Sequence, residues 1–369
     1  MAKHFLIAPD KFKGSLSARE AAEAIADGIR QNHPNAEIDL CPIADGGEGF
    51  MESMATALQA KWIECPAVDA LNRPIESRYA LATNIDGRTA IMEMAETAGL
   101  WRLADNEPNP HLATTKGTGM QIVHAIREHA VDRIILGIGG SATNDGGSGM
   151  AAALGIAFLD VDNHPVEPTP ANLPDVQRID RSEALPLPEI IAACDVDNPL
   201  LGPNGATAIF APQKGAKKSD LPALEAALAH LVHISNGESA ATSPGAGAAG
   251  GLGFGLLHFA KAKLMSGYDL LAATLNLEER IRHADHVITG EGSLDKQSLA
   301  GKGPIALARM AKAQGTPVTA FCGFAEPAIH QSALFHAIHA LADNGMPTDQ
   351  LIAQAKSILT TAATKANFS

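Results

Sequence analysis

Cysteine is scarce in this 369-residue chain: the four present, Cys41, Cys65, Cys194 and Cys322, are widely scattered and form no C-x-x-C pair. That spacing speaks against a zinc knuckle or a disulfide framework and points to a reducing compartment. Aromatics are also few, and no apolar run approaches the length of a membrane span. The apolar stretch near the N-terminus, Phe5 to Ala8, is too short for a secretory signal, so the chain is expected in the cytoplasm with no membrane partner. Basic charge is outnumbered, with 28 Lys and Arg against 41 Asp and Glu for a net −13. This balance opposes non-specific contact with nucleic acid or anionic lipid, so an anionic ligand needs a locally basic site.

Several familiar motifs are missing as well. There is no G-x-x-x-x-G-K-[ST], no H-R-D or D-F-G set, no G-x-S-x-G elbow and no H-E-x-x-H among the histidines. P-loop enzymes, protein kinases, serine hydrolases and zinc proteases are thereby disfavoured.

What is present is an ordinary soluble composition rich in glycine, 34 residues, which suits loops that bring backbone close to a ligand. The length favours two domains, each with its own core. Phe5 to Ala8 reads as a buried strand ending at Pro9-Asp10, and Ser17-Ala-Arg-Glu20 as a capping box opening a helix to about Gln31. Glu37 to Ile43 reads as a second strand, with a helix over Met51 to Gln59. The C-terminal third repeats the rhythm, with strands at His286–Thr289, Pro317–Phe321 and Ala337–Leu341 and helices at Pro304–Gln314 and Asp349–Lys365.

Two strands from one end and three from the other predict a discontinuous α/β domain on a parallel sheet, residues 1–65 and 285–369. Residues 66–284 read as an inserted second α/β domain, with a ribbon, Pro74–Thr83 and Thr89–Glu93, turning at Asp86-Gly87 and strands at Asp132–Ile138 and Glu189–Cys194. Ala240 to Gly255 is Gly/Ala-rich but too short to be disordered.

The chemistry-bearing residues follow the strands. Asp10, Asp45 and Glu291 fall at carboxyl ends, where ligands of parallel sheets bind. Lys11, Lys13 and Ser15 bring two ammonium groups and a hydroxyl to a helix start, an anion site, although a solvated capping turn is the plainer reading. Asp45-Gly-Gly-Glu48-Gly49 puts carboxylates on a glycine loop able to hold Mg²⁺ or a hydroxyl, unless it only turns the chain.

The run Gly137-Ile-Gly-Gly-Ser141-Ala-Thr-Asn144-Asp145-Gly-Gly147 can cradle phosphate with backbone and hydroxyl groups, and Asn144-Asp145 suits Mg²⁺. Lys116 and Thr118 lie on a short polar loop, Asp195 ends a strand where it can accept a proton, and Glu291 to Asp295 begin a hydroxyl- and carboxylate-rich clamp that extends to Ser298. A turn or helix cap is an equally good reading of each. Gly137-x-Gly139-x-x-Ala142 with Asp160, and Gly245-x-Gly247-x-x-Gly250, also fit the dinucleotide fingerprint, so an NAD-dependent hydroxy-acid oxidoreductase stays open. A non-catalytic nucleotide or metabolite sensor is the other alternative.

Taken together, Ala8-Pro-Asp-Lys-Phe-Lys-Gly-Ser15, Pro42-Ile-Ala-Asp-Gly-Gly-Glu-Gly49, Gly139-Gly-Ser-Ala-Thr-Asn-Asp-Gly-Gly147 and Gly290-Glu-Gly-Ser-Leu-Asp295 resemble the type-1 bacterial glycerate kinase family. The resemblance spans effectively the full length. It implies ATP-dependent phosphorylation of D-glycerate to 2-phosphoglycerate, with a flavodoxin-like domain built from both termini, an inserted second domain and a site in the cleft between them. Phosphoryl transfer needs cations and a base, with little covalent work for the protein. On that footing Lys11, Lys13 and Lys116 are candidates for countering phosphate and carboxylate charge. Asp45, Asp145 and Asp195 are candidates for Mg²⁺ and the base, with Asp195, Asp45 and Lys13 taken as catalytic and Asp145 as the metal ligand. The remaining candidates, Asp10, Ser15, Glu48, Thr118, Ser141, Asn144, Glu291 and Asp295, would contact substrate or phosphate.

Overall fold

A strand whose side chains are apolar on both faces has to be covered on both faces, and the first strand meets this condition: Phe5, Leu6 and Ile7 are wholly buried. The computed structural model describes residues 2–44, 49–84, 87–295, 303–344 and 346–368. Its strands are β1 (His4–Ile7), β2 (Glu37–Leu40), β3 (Lys61–Val68), β4 (Pro74–Asn84), β5 (Gly87–Glu93), β6 (Arg133–Gly137) and β7 (Ala157–Leu159). These are followed by β8 (Arg178–Asp180), β9 (Glu189–Ala193), β10 (Lys263–Met265), β11 (His286–Leu294), β12 (Val318–Ala325) and β13 (Ala337–Ala340). The chain divides into two compact units, the first made of Met1–Asp45, Glu52–Gln59 and Tyr268–Ser369, the second of Gly46–Met51 and Ala60–Gly267.

In the first unit one sheet runs β13-β12-β11-β1-β2, and every pairing is parallel. In chain order this is the 2-1-3-4-5 arrangement of flavodoxin-like doubly wound sheets. The helix Ala18–Asn32 begins as its capping box requires: the Ser17 hydroxyl accepts from the Glu20 N–H at 3.2 Å, and Glu20 accepts from the Ser17 N–H at 2.9 Å. Its apolar face, with Ile25 and Ile29, joins Phe5, Ile7, Ile288, Phe321 and Leu359 in one core.

Two segments depart from the sequence reading here. Gly290-Glu291-Gly292 is not a loop after β11 but part of it, with Glu291 opposite Cys322 and Ser293 opposite Phe324. Gly290 permits this because a Cβ there would run into the Phe321 carbonyl of β12. The helix expected over Asp349–Lys365 breaks into Thr348–Ala353 and Ala355–Lys365, with Gln354 at φ −110°, ψ 11° between them.

The second unit is built on a six-stranded sheet, β10-β9-β6-β5-β4-β3. Its first four strands are parallel and its last two pair antiparallel. The ribbon β4–β5 forms where the Asp86-Gly87 turn signal points, but Gly87 already belongs to β5, opposite Asn84. β3, for which no element was expected, adds the edge of the sheet, and its Pro66 is tolerated there because an edge strand can leave one side unpaired. The Gly/Ala-rich stretch is ordered: Ala248–His258 is helical around a kink in which Ala249, Gly250 and Gly251 have φ of 54°, 66° and 88°.

Candidate active site

Parallel strands deliver their carboxyl ends to one edge of a sheet. In the second unit that edge carries Glu93 of β5, the loop 138–147 after β6 and Asp195 after β9. The loop is tied down on the β5 side, where Leu100 donates to the Gly140 carbonyl at 2.9 Å and Ala142 donates to the Ala98 carbonyl at 2.9 Å. On the other side the kinked helix holds it, with Gly146 N–H on the Gly250 carbonyl at 3.1 Å. Gly250 must be glycine, since φ is positive and a Cβ would strike the Thr143 carbonyl.

Asp145 lies wholly buried inside this loop. Its Oδ2 accepts from the Thr115 N–H at 2.7 Å, the Thr115 hydroxyl at 2.8 Å and the Gly149 N–H at 3.2 Å, and its Oδ1 accepts from the Gly147 N–H at 3.1 Å. Burial raises its pKa, and the donors on Thr115, Gly147 and Gly149 pull the other way. The carboxylate therefore ties the loop to the start of the helix Lys116–His129.

Lys214, which the sequence reading passed over, is buried beside it. Its Nζ donates to the Ser141 hydroxyl and to the Thr143 carbonyl, each at 2.6 Å. Burial lowers its pKa to about 7, against the opposing pull of the Asp145 charge. Nothing in Pro212-Gln-Lys214 marks it in the sequence, since a single lysine in a turn is normally solvated.

The other candidates of this unit divide by burial. Thr118 is buried and shares a 3.0 Å hydrogen bond with the Thr97 hydroxyl, which fastens the helix to the segment after β5. Asn144 is buried and donates to the Thr207 hydroxyl at 3.2 Å, while its Oδ1 has no hydrogen-bond partner among the described residues. Lys116 is half-buried and paired with Glu167 at 3.0 Å. Asp195 is half-buried and accepts from the Gly267 N–H at 3.1 Å, which fixes the direction of its carboxylate. Asn198 donates to the Asn204 carbonyl at 2.8 Å and shapes the turn behind it.

In the first unit the loop after β1 lies along β11. The Asp10 N–H donates to the Gly290 carbonyl at 2.8 Å, and the Asp10 carboxylate accepts from the Lys11 N–H at 2.6 Å. A Cβ on Gly303 would lie 3.4 Å from Asp10 Oδ2, so this carboxylate sits at the start of the helix Gly303–Ala313. Ser15 turns inward to the Phe12 carbonyl at 3.2 Å, while Lys13 is exposed and Lys11 half-buried. Glu291 lies on β11, one residue after this loop's anchor Gly290, and Asp295 lies just after the strand. Thr289 pins β11 to β1 through the Ala8 carbonyl at 2.8 Å. Asp45, Glu48, the Asp86 half of the hairpin turn and Lys296 to Ser298 lie outside the described residues.

The dinucleotide reading does not survive this geometry. Its fingerprint should open a helix, but the helix after Gly137-x-Gly139-x-x-Ala142 starts only at Ser148 and runs six residues. Asp160 is spent in a turn, accepting from the Asp162 and His164 N–H groups at 2.8 Å each, and no strand leads into Gly245. Among the described residues no group of three or more His, Cys, Asp or Glu is placed to hold a metal ion, and no helix is long and apolar enough to cross a membrane.

The sequence matches the profile of the Glycerate kinase family over residues 5–367. The chain belongs to that family. It is 41% identical to a glycerate kinase of Halalkalibacterium halodurans over 97% of this chain and 96% of that one. It is 44% identical to a glycerate kinase of Haemophilus influenzae, covering 86% of this chain and 85% of the relative. A glycerate 2-kinase of Escherichia coli is 41% identical, with 86% and 84% covered. A crystal structure from Salmonella typhimurium LT2, described provisionally as a glycerate kinase 2, superposes with a TM-score of 0.86 at 35% identity, covering 99% of this chain and 97% of that one. As a member of the glycerate kinase family the chain is an enzyme, and its mixed α/β fold is the one its relative adopts.

Proposed function

We propose that this enzyme transfers the γ-phosphoryl group of ATP to D-glycerate, with Mg²⁺ as the accompanying cation and 2-phosphoglycerate as the product, in the cytoplasm. The observation that carries this reading is the near full-length match to glycerate kinases, one of them named a glycerate 2-kinase.

The described residues of the glycine loop suit phosphate. Gly140 has φ +73° and open space beside it, where a Cβ would meet only the Ala95 Cβ at 3.7 Å, so phosphate oxygens can approach the main chain of Gly139 to Ser141. Mg²⁺ takes hard oxygen ligands, typically a carboxylate or two together with phosphate oxygens. Asp145 suits it poorly, because four protein donors already occupy its oxygens. We reassign Asp145 to holding the loop and give the cation to Asp45 and Glu48. Mg²⁺, when bound, would draw off charge that develops on the transferring oxygens.

Asp195 is the proposed base. Its carboxylate takes the proton of the glycerate hydroxyl as that oxygen bonds to the γ-phosphorus, and the bond to the bridging oxygen of ADP breaks. In the first unit Lys11 and Lys13 counter phosphate and carboxylate charge, and in the second Lys116 does so when it leaves Glu167.

The reading is tested by following ADP formation over a panel of small hydroxy acids, with NADH absorbance recorded in parallel and phosphorus NMR distinguishing secondary from primary phosphate ester. Turnover of NAD without ADP sinks it. In the same assay Asp195→Asn lowers kcat by about 10²–10⁴-fold, the usual contribution of a general base. Nucleotide affinity and melting temperature stay close to wild type, and a near-wild-type kcat moves the base to Asp45.

A further inference from the structure

Lys214 closes the turn Pro212–Lys214, and the next residue, Gly215, has φ 92° and lies so close to Pro108 that a Cβ would fall 2.8 Å from the Pro108 carbonyl oxygen. The turn is therefore held in place, and with it a lysine only 1% exposed. A lysine ammonium has three donors and no acceptor. In its 2.6 Å contact with Ser141 the hydroxyl oxygen is thus the acceptor, and the Ser141 proton has to go elsewhere. Among the described residues no acceptor takes it.

Burial marks which part of the loop reaches the surface. Thr143, Asn144 and Asp145 are fully buried, whereas Ser141 is 9% exposed and its neighbour Gly140 is exposed. Ser141 is where the buried polar network reaches the surface of the glycine loop. An ammonium donating to a hydroxyl also polarises it and strengthens the bond it can donate in turn.

We propose that Lys214 is a positioning residue that fixes the Ser141 hydroxyl as a hydrogen-bond donor to a substrate oxyanion, either the phosphoryl group in transfer or the carboxylate of the acid. This rests on the phosphoryl-transfer reading above. The Asp145 charge works in the same direction, because it opposes the burial that draws the Lys214 pKa to about 7, and the ammonium form that makes this contact prevails below that pH.

A lysine that merely buttressed the loop would affect melting temperature and leave the Ser141 hydroxyl dispensable. The test uses Ser141→Ala, Ser141→Thr, Lys214→Met and the Ser141→Ala/Lys214→Met double variant in the full chain. The assays are ADP formation with D-glycerate and calorimetric affinity for a non-hydrolysable ATP analogue and for D-glycerate separately. Ser141→Ala is expected to lower kcat by about 10²-fold, as for loss of one preorganised donor, with melting temperature kept and most activity returning in Ser141→Thr. Weaker binding of the analogue assigns the hydroxyl to phosphate, and weaker binding of glycerate assigns it to the carboxylate. The double variant should be no slower than Ser141→Ala alone.

Wild-type kcat and unchanged affinity for both ligands in Ser141→Ala overturn the proposal, as does a double variant slower by the full product of the two single effects. If Lys214→Met does not fold, the two Ser141 variants decide alone. A wild-type enzyme that forms no ADP with D-glycerate sinks the functional reading, and the calorimetric comparison still decides the role of Ser141.

Discussion

Loops 10–15 and 139–147 both leave the end of a parallel strand and both carry glycine with polar side chains, yet they treat those side chains in opposite ways. In loop 10–15 several side-chain bonds are local: Asp10 accepts from the next N–H and Ser15 bonds back to Phe12, while Lys13 remains exposed and the main chain of Asp10 is tied to β11 through the Gly290 carbonyl. In loop 139–147 the polar groups are buried and bonded across the unit, Asp145 to Thr115 and Gly149, and Ser141 and Thr143 to Lys214. A buried polar group is costly unless bonded, so the second loop depends for its shape on these distant bonds, with Asn144 Oδ1 left without a partner among the described residues. The first leaves Lys13 exposed, so that charge can be presented without stability depending on it.

Substitutions that invert this contrast would break the comparison. Asp145→Asn should have the largest effect, because an amide NH₂ would face N–H donors in a fully buried site. Unfolding free energy is expected to fall by about 3 kcal/mol or more, measured by urea denaturation, with the same loss whether or not Mg²⁺ is present. A loss below about 1 kcal/mol would show that the loop does not hang on this carboxylate.

Lys13→Met should do the reverse. A hydrogen bond to a charged group contributes about 1.5–3 kcal/mol, so affinity for ATP or glycerate should weaken roughly 10- to 100-fold. Melting temperature should not move, since the side chain is exposed. Unchanged affinity for both ligands would make this lysine part of a solvated turn.

The smallest effect is expected from Ser17→Ala, which removes the cap of the helix that follows loop 10–15. It should cost about 1 kcal/mol in stability and leave kcat untouched. A fall in kcat would mean that this loop, too, is held in a functional geometry by bonds beyond its own turn.

Local rules governed much of what the amino-acid order determined by itself. The capping box Ser17/Glu20, the β4–β5 ribbon, and the apolar runs of β1, β6 and β9 follow from hydrogen-bonding partners within a few residues or from periodicity, and each forms as read. Two strands from the N-terminus and three from the C-terminus join in one parallel sheet, as alternation of strands and helices implies. The glycine-rich runs likewise announced the family, because several long motifs in one order are specific where any one is not.

Tertiary structure alone decided the rest, and each case involves a partner distant in the chain. Gly290 to Leu294 reads as a loop until β12 lies beside it and accepts its close approach. Asp145 reads in the sequence as a loop carboxylate, and the fold alone shows that its oxygens accept from Thr115 and Gly149. Lys214 has no sequence signature at all, since its importance comes from burial against Ser141 and Thr143, about seventy residues earlier in the chain. Desolvation, which turns an ordinary lysine or aspartate into an organiser of a loop, depends on what the whole fold packs around it and is not written in the neighbouring residues.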